Sequence, residues 1–247
     1  MKSFKYGFFF SILIMFMTFW VRKVFFEALG TELTGYYLLI NQMLGYLNLA
    51  ELGLGTASTY LLFKPLNNRD NEKLTSVFYV IKQIYKKIQL IILAIGLLLA
   101  FALPYIAKSH ISLYDLYLPW VFFVLSTALS YSFSAESILL TADQKVHYLR
   151  IINGAGRVLC FILQIVILKF GSGFIFFSML EVISVICQMY FFKKIVKEQY
   201  VLDGRVELLS LDAIKGSIYT EIKKTFIHKV SGVLIFNTDY IIVKSLK

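Results

Sequence analysis

The sequence predicts an all-α polytopic integral membrane protein with about seven transmembrane helices and a cytoplasmic N-terminus. Three observations lead there. Mean hydropathy is +0.72, and 58% hydrophobic with 17% aromatic residues stand against 16% charged in a chain of 247. That is more apolar surface than a water-soluble domain of this size can bury. Strongly apolar stretches recur along the whole length, several of them as long as the ~20 residues needed to cross ~30 Å of hydrocarbon at ~1.5 Å per residue. Basic residues gather in alternate connecting segments, as orientation in a membrane requires. A soluble helical domain is excluded because several of the apolar windows have no polar face at the 3.6-residue period. A β-barrel is excluded because the runs are continuous and rich in Leu, Ile and Phe rather than alternating.

The first span runs from about Tyr6, passing Arg22 and Lys23, toward Leu29. No A-x-A-like site ends the apolar run Tyr6 to Val21, so it is read as a span and not as a cleaved signal peptide. Span two covers Leu38 to Phe63, with Glu51 in its second half. Spans three and four, Ile88 to Ala107 and Leu116 to Ala135, each contain 20 residues without a charge. Span five is Ile151 to Leu168 with Arg157, span six Phe174 to Phe192 with Glu181, and span seven Phe226 to Val243 with Asp239. Spans one to six form a bundle over residues 1–192. Residues 193–225 connect it to the seventh span, in residues 226–247. Within the connection Ile214, Ile218, Ile222 and Phe226 recur every fourth residue, the pattern of an amphipathic helix on the cytoplasmic interface or of a solvated connector.

With the N-terminus inside, the cytoplasmic segments hold 19 of the 25 basic residues and the outer ones six. Setting aside the membrane-embedded Arg22, Lys23 and Arg157 leaves 18 against four. The net charge of +10 therefore reflects topology and not a nucleic-acid-binding face, because the basic residues lie in short clusters between apolar runs.

Polar groups within apolar spans are the natural site candidates, since a charge at the bilayer centre costs at least ~2.5 kcal/mol and persists by facing a cavity or a partner. They are Arg22 and Lys23 in span one, Asn41, Gln42, Asn48 and Glu51 in span two, Arg157 in span five and Asp239 in span seven. Arg22 and Lys23 either face a cavity or snorkel to the outer interface. Glu51, followed by Leu-Gly-Leu-Gly55, either meets substrate or pairs across a close helix contact. Asp239 is placed to carry a coupling proton or ion. Glu136 and Glu181, at a span end and in a short span, suit interface placement or structural pairing.

Chemistry is constrained by what is missing. The sequence has no G-x-x-x-x-G-K-[ST] phosphate loop, and Gly154-Ala-Gly156-Arg157 lacks the third glycine of a dinucleotide site. No paired carboxylates, G-x-S-x-G or H-E-x-x-H appear. Cys160 and Cys187 lie in apolar runs without C-x-x-C spacing, and His110, His147 and His228 are scattered in different connecting segments. No catalytic residue, metal or cofactor is expected, and transport is the class left standing.

Several segments carry a family resemblance. They are Arg22-Lys-Val-Phe-Phe-Glu-Ala-Leu-Gly30, Asn48-Leu-Ala-Glu-Leu-Gly-Leu-Gly55, Tyr60-Leu-Leu-Phe-Lys-Pro-Leu66, Asp70-Asn-Glu-Lys73, Ala142-Asp-Gln-Lys145 and Thr238-Asp-Tyr-Ile-Ile242. In their order along essentially the whole chain they resemble the polysaccharide flippases of the multidrug/oligosaccharidyl-lipid/polysaccharide exporter (MOP) superfamily, the O-antigen and capsule repeat-unit translocases. The resemblance implies a MATE-like pair of helical bundles around a cavity that opens to alternate sides of the bacterial inner membrane. It implies an undecaprenyl-diphosphate-linked oligosaccharide as cargo, whose diphosphate suits Arg22 and Arg157, in lipopolysaccharide or capsule biosynthesis. It also implies that this chain holds the first bundle and the opening helix of the second, as a truncated reading frame would. Partners expected on the same ground are membrane lipids, a C-terminal half or other polysaccharide-assembly proteins, and no nucleic acid. A multidrug exporter of the superfamily is the alternative within transport, and a membrane enzyme acting on lipid-linked sugars the alternative outside it.

Overall fold

A computed structural model describes residues 2–48, 53–107, 111–202 and Gly216. The predicted seventh span, most of the predicted connector, Glu51 and Asp239 lie outside the described residues. What is described is helical: α1 (Lys2–Asn48), α2 (Leu54–Asn67), α3 (Asn71–Leu99), α4 (Leu103–Ala107), α5 (Leu113–Ser130), α6 (Ser134–Ala142), α7 (Val146–Lys169) and α8 (Phe174–Gln199). Short 3₁₀ turns, Ala100–Ala102 and Tyr131–Phe133, join α3 to α4 and α5 to α6. Among the described residues, five stretches are long and apolar enough to cross a membrane: Gly7–Leu47, Asn71–Tyr105, Leu113–Ala142, Val146–Lys169 and Phe174–Gln199.

The expected division between spans one and two is a reversal at Gly30, where two helical arms of α1 meet without a loop. Gly30, at φ 80° and ψ −177°, interrupts α1 in a conformation that only glycine adopts at low cost. The rings of Phe25 and Tyr37 stack at 5.1 Å, although twelve residues of straight helix would separate them by about 18 Å. The chain must fold back at Gly30. The arms on either side, 2–29 and 31–48, are about 42 and 27 Å long, each of the order of one bilayer crossing. Span two then does not continue unbroken to Phe63, because Gly53 at φ 91° precedes a separate α2.

Helix ends follow local chemistry. Asp70 caps α3, its Oδ1 accepting the Lys73 backbone N–H at 3.0 Å. Ser112 caps α5 in the same way, accepting from Asp115 N–H at 3.2 Å. At the other ends, α2, α6 and α7 close with one hydrogen-bond pattern: Asp70 N–H to Pro65 O, Lys145 N–H to Leu140 O and Ser172 N–H to Ile167 O. The residues before these donors, Arg69, Gln144 and Gly171, take positive φ, as this C-cap requires.

The Asp70 cap carries a pH dependence. Hydrogen bonding to the Lys73 backbone N–H, with the Lys73 ammonium beside it, holds the Asp70 carboxyl below its ordinary range. A depressed folded-state value means the cap is intact above the unfolded value and is lost as pH falls through the folded one. Amide exchange at residues 71–74 is expected to accelerate on acidification, and Asp70→Asn, which caps without ionising, to abolish that acceleration. Equal acid sensitivity in the variant would refute the assignment.

Two apolar layers stack along the bundle. One joins Leu62, Ile81, Tyr85, Leu139 and Phe192; the other joins Phe25, Tyr37, Ile40, Trp120, Phe174 and Phe177. Aromatic contacts knit the second, with Phe25 edge-on to Phe174 at 5.2 Å and to Phe177 at 4.9 Å. Glycines allow close helix approach where bulk would prevent it. A Cβ on Gly96 would lie 2.4 Å from Val124 Cγ1, and one on Gly154 would lie 2.3 Å from the Phe10 ring. Trp120 Nε1 donates to the Gly96 carbonyl at 2.8 Å, tying α5 to α3 at that approach.

Candidate functional site

Beside the second apolar layer lies a network of buried polar groups. Gln164, wholly buried on α7, donates through Nε2 to Glu181 Oε1 at 3.0 Å and to the Phe177 carbonyl at 3.3 Å. Glu181, on α8, accepts at its other oxygen from Arg157 Nη1 at 2.6 Å. Seven residues separate Arg157 from Gln164, two helical turns, so both side chains lie on one face of α7. The guanidinium sits over the Phe161 ring, its central carbon 4.6 Å from the centroid. The pair is unequally exposed: 8% of the Glu181 side chain is accessible against 39% of Arg157. A buried carboxylate is thus held from the interior by an amide and from the surface by a guanidinium. Further along the same interface Ser184 Oγ donates to the Gly156 carbonyl at 3.3 Å, and Gln188 Nε2 donates to Ser184 at 3.2 Å.

Tyr37 connects this network to α1. It lies within Coulombic reach of Arg22, Arg157 and Glu181. Its carbonyl accepts from Asn41 Nδ2 at 2.7 Å. Three of the residues singled out in the sequence thus bear on one tyrosine, Asn41 by a hydrogen bond and Arg22 and Arg157 through longer-range electrostatics. Arg22 is exposed and makes no ion pair among the described residues. Lys23, also exposed, pairs with Glu27 at 3.8 Å one turn along α1. Gln42 is exposed, with Nε2 3.4 Å from the Tyr46 hydroxyl. Asn48 ends α1. Both Arg22 and Arg157 are cationic, but Glu181 already matches the charge of Arg157, which leaves Arg22 as the uncompensated member of this group.

Sequence reading treated Glu181 as a structural partner and passed over Gln164 and Tyr37. A signal was available: Glu181, Ser184 and Gln188 form a polar stripe at i, i+3 and i+7 on an otherwise apolar helix. A second buried carboxylate, Glu136, lies 3.8 Å from Lys82 Nζ, with Oε2 making no hydrogen bond. At the end of the bundle where α2 and α6 terminate, Phe63, Leu66, Asn67, Ala142, Asp143 and Gln144 line a cavity of about 500 Å³. There Tyr200 donates to Asp143 at 2.5 Å and Lys145 pairs with the same carboxylate at 2.8 Å. None of the polar site candidates lines this cavity, although Phe63, Leu66, Ala142, Asp143 and Gln144 belong to the segments on which the family resemblance rests. Cys160 and Cys187 are both free thiols, and no group of three or more His, Cys, Asp or Glu suited to a metal occurs among the described residues.

The arrangement offers hydrogen-bond donors and positive charge at the half-exposed edge of an apolar bundle. Such an edge can hold an anion. Compared with protein-family models, curated proteins and solved structures, the chain matches none.

Proposed function

We propose that the chain works in the bacterial inner membrane as a multi-pass component of a polysaccharide flippase, moving undecaprenyl-diphosphate-linked oligosaccharide repeat units across the bilayer. The observation that carries this reading is the placement of Arg22. It is an exposed cation without an ion-pair partner among the described residues, carried on a long apolar helix, in reach of the same tyrosine as Arg157. A cation at such a position either snorkels to the interface or meets an anion, and the reading takes the second course. A diphosphate borne on a lipid supplies that anion, because its prenyl chain stays in hydrocarbon while its headgroup requires a polar route. The ordered segments that resemble the flippase superfamily point the same way. The N-terminus is proposed to be cytoplasmic, which puts Lys64, Arg69, Lys73 and Lys145 beside the anionic inner leaflet.

The test is binding of a prenyl diphosphate to the full chain in lipid nanodiscs, with geranylgeranyl diphosphate as the probe and geranylgeraniol as the control. Saturable binding of the diphosphate alone is expected, and Arg22→Gln is expected to weaken it about tenfold, the worth of one charge-assisted contact. Equal retention of the two lipids, or an Arg22→Gln variant that binds as the parent does, would contradict the reading.

A further inference from the structure

The ion pair between α7 and α8 is asymmetric in a way that bears on ligand release. Glu181 is fixed: Gln164 holds Oε1 at 3.0 Å, and its side chain is 8% exposed. Arg157 is the accessible member, at 39%, and only Nη1 is engaged with the carboxylate. A guanidinium has five N–H donors in a planar fork, so most of its donors remain for a second anion. Were Arg157 to turn toward that anion, Glu181 would keep the Gln164 amide and would not be left without a partner. The same carboxylate would stand as a like charge behind the ligand and oppose its binding.

Resting on the diphosphate reading above, we propose that Glu181 is an internal counter-ion that competes with a bound diphosphate for Arg157 and thereby promotes its release. Arg157 alternates between two acceptors, one fixed in the bundle and one delivered by the ligand, and no covalent step is involved. Glu181 is a positioning residue here, because it acts on the ligand through Arg157. With Arg22 unopposed, a counter-ion at Arg157 keeps the cargo from being held by two unopposed cations, which would gain affinity and lose turnover. Gln164 belongs to the same device as the group that keeps the carboxylate in place when Arg157 leaves it.

The experiment measures equilibrium affinity and dissociation rate for geranylgeranyl diphosphate on the full chain in nanodiscs, for the parent, Glu181→Gln, Arg157→Gln and the double variant. Glu181→Gln is expected to tighten binding about tenfold, mainly through slower dissociation. Arg157→Gln is expected to weaken binding, and the double variant to resemble Arg157→Gln, since the counter-ion has no effect without its cation. A purely structural Glu181 would predict weaker binding on its removal, and unchanged or weaker binding in Glu181→Gln overturns the proposal. Should that variant not insert, Glu181→Asp keeps the charge but withdraws it by one methylene; a smaller tightening is expected, and none overturns the proposal. If the parent fails to distinguish the diphosphate from geranylgeraniol, the functional reading itself falls. If it does distinguish them but Glu181→Gln binds no tighter, only the counter-ion proposal falls. Competition by free pyrophosphate separates a soluble diphosphate from a lipid headgroup as the species recognised, and the Glu181→Gln tightening is required with whichever of them binds.

Discussion

Arg157→Leu is expected to destabilise the bundle by about 3 kcal/mol, the low end of the cost of breaking a buried pair by removing one partner. The group left behind decides the size of the effect. Glu181, 8% exposed and aimed at the vacated position, would keep a single amide donor from Gln164. Removing both charges in Arg157→Leu/Glu181→Leu is expected to recover most of the loss, because a well-packed apolar pair is often as stable as a buried ion pair. Thermal unfolding of the detergent-solubilised chain measures both. A single variant as stable as the parent would show that Glu181 is not the buried partner described, and a double variant no better than the single would point to lost packing over Phe161 instead of lost charge.

The second large effect is steric. Gly154→Val is expected to cost about 2–3 kcal/mol, within the range for forcing extra bulk into a packed core. A Cβ there would lie 2.3 Å from Phe10 Cγ and 2.7 Å from both Cδ atoms, so the ring must move before even the first carbon fits. α1 and α7 share the most extensive helix–helix interface in the bundle, and this contact lies within it. Phe10→Ala is expected to rescue much of the defect by emptying the space the valine needs. The same melting experiment, or cross-linking between cysteines introduced on the two helices, reads the outcome. Failure of Phe10→Ala to rescue would place the strain elsewhere.

How much of this was legible in the sequence differed by element. The facing ends of α7 and α8 match the expected spans, because the apolar runs are bounded by Lys169 and Gly171–Gly173, but α7 begins earlier, at Val146, and α8 continues past Phe192 to Gln199, into the expected connector. Span three was expected from Ile88, whereas α3 begins at Asn71. The uncharged run begins after Lys87, but a basic residue does not stop a helix; Asp70 is the start signal, a capping carboxylate one residue before the first turn. Span four likewise extends past Ala135: after a 3₁₀ turn at Tyr131–Phe133 the chain continues as α6 to Ala142, since Glu136 finds Lys82 and does not need to end the helix. Gly30 sits one residue past the expected end of span one, but nothing in the pattern distinguished a bend from a loop. The polar candidates were legible as types: an Arg or Asn in an apolar span stands out. Their partners were not, because whether Arg157 meets Glu181 depends on how two helices are rotated about their axes, which composition does not encode.

The central proposal is that this chain is a component of a flippase for a lipid-linked oligosaccharide. Its most direct test is complementation in a bacterial strain lacking its polysaccharide flippase, with the chain expressed alone and fused to the C-terminal bundle of a related flippase. The account predicts that the fusion restores surface polysaccharide and that Arg22→Gln in the fusion abolishes the restoration. A fusion that inserts correctly, binds its lipid and restores no surface polysaccharide would contradict it.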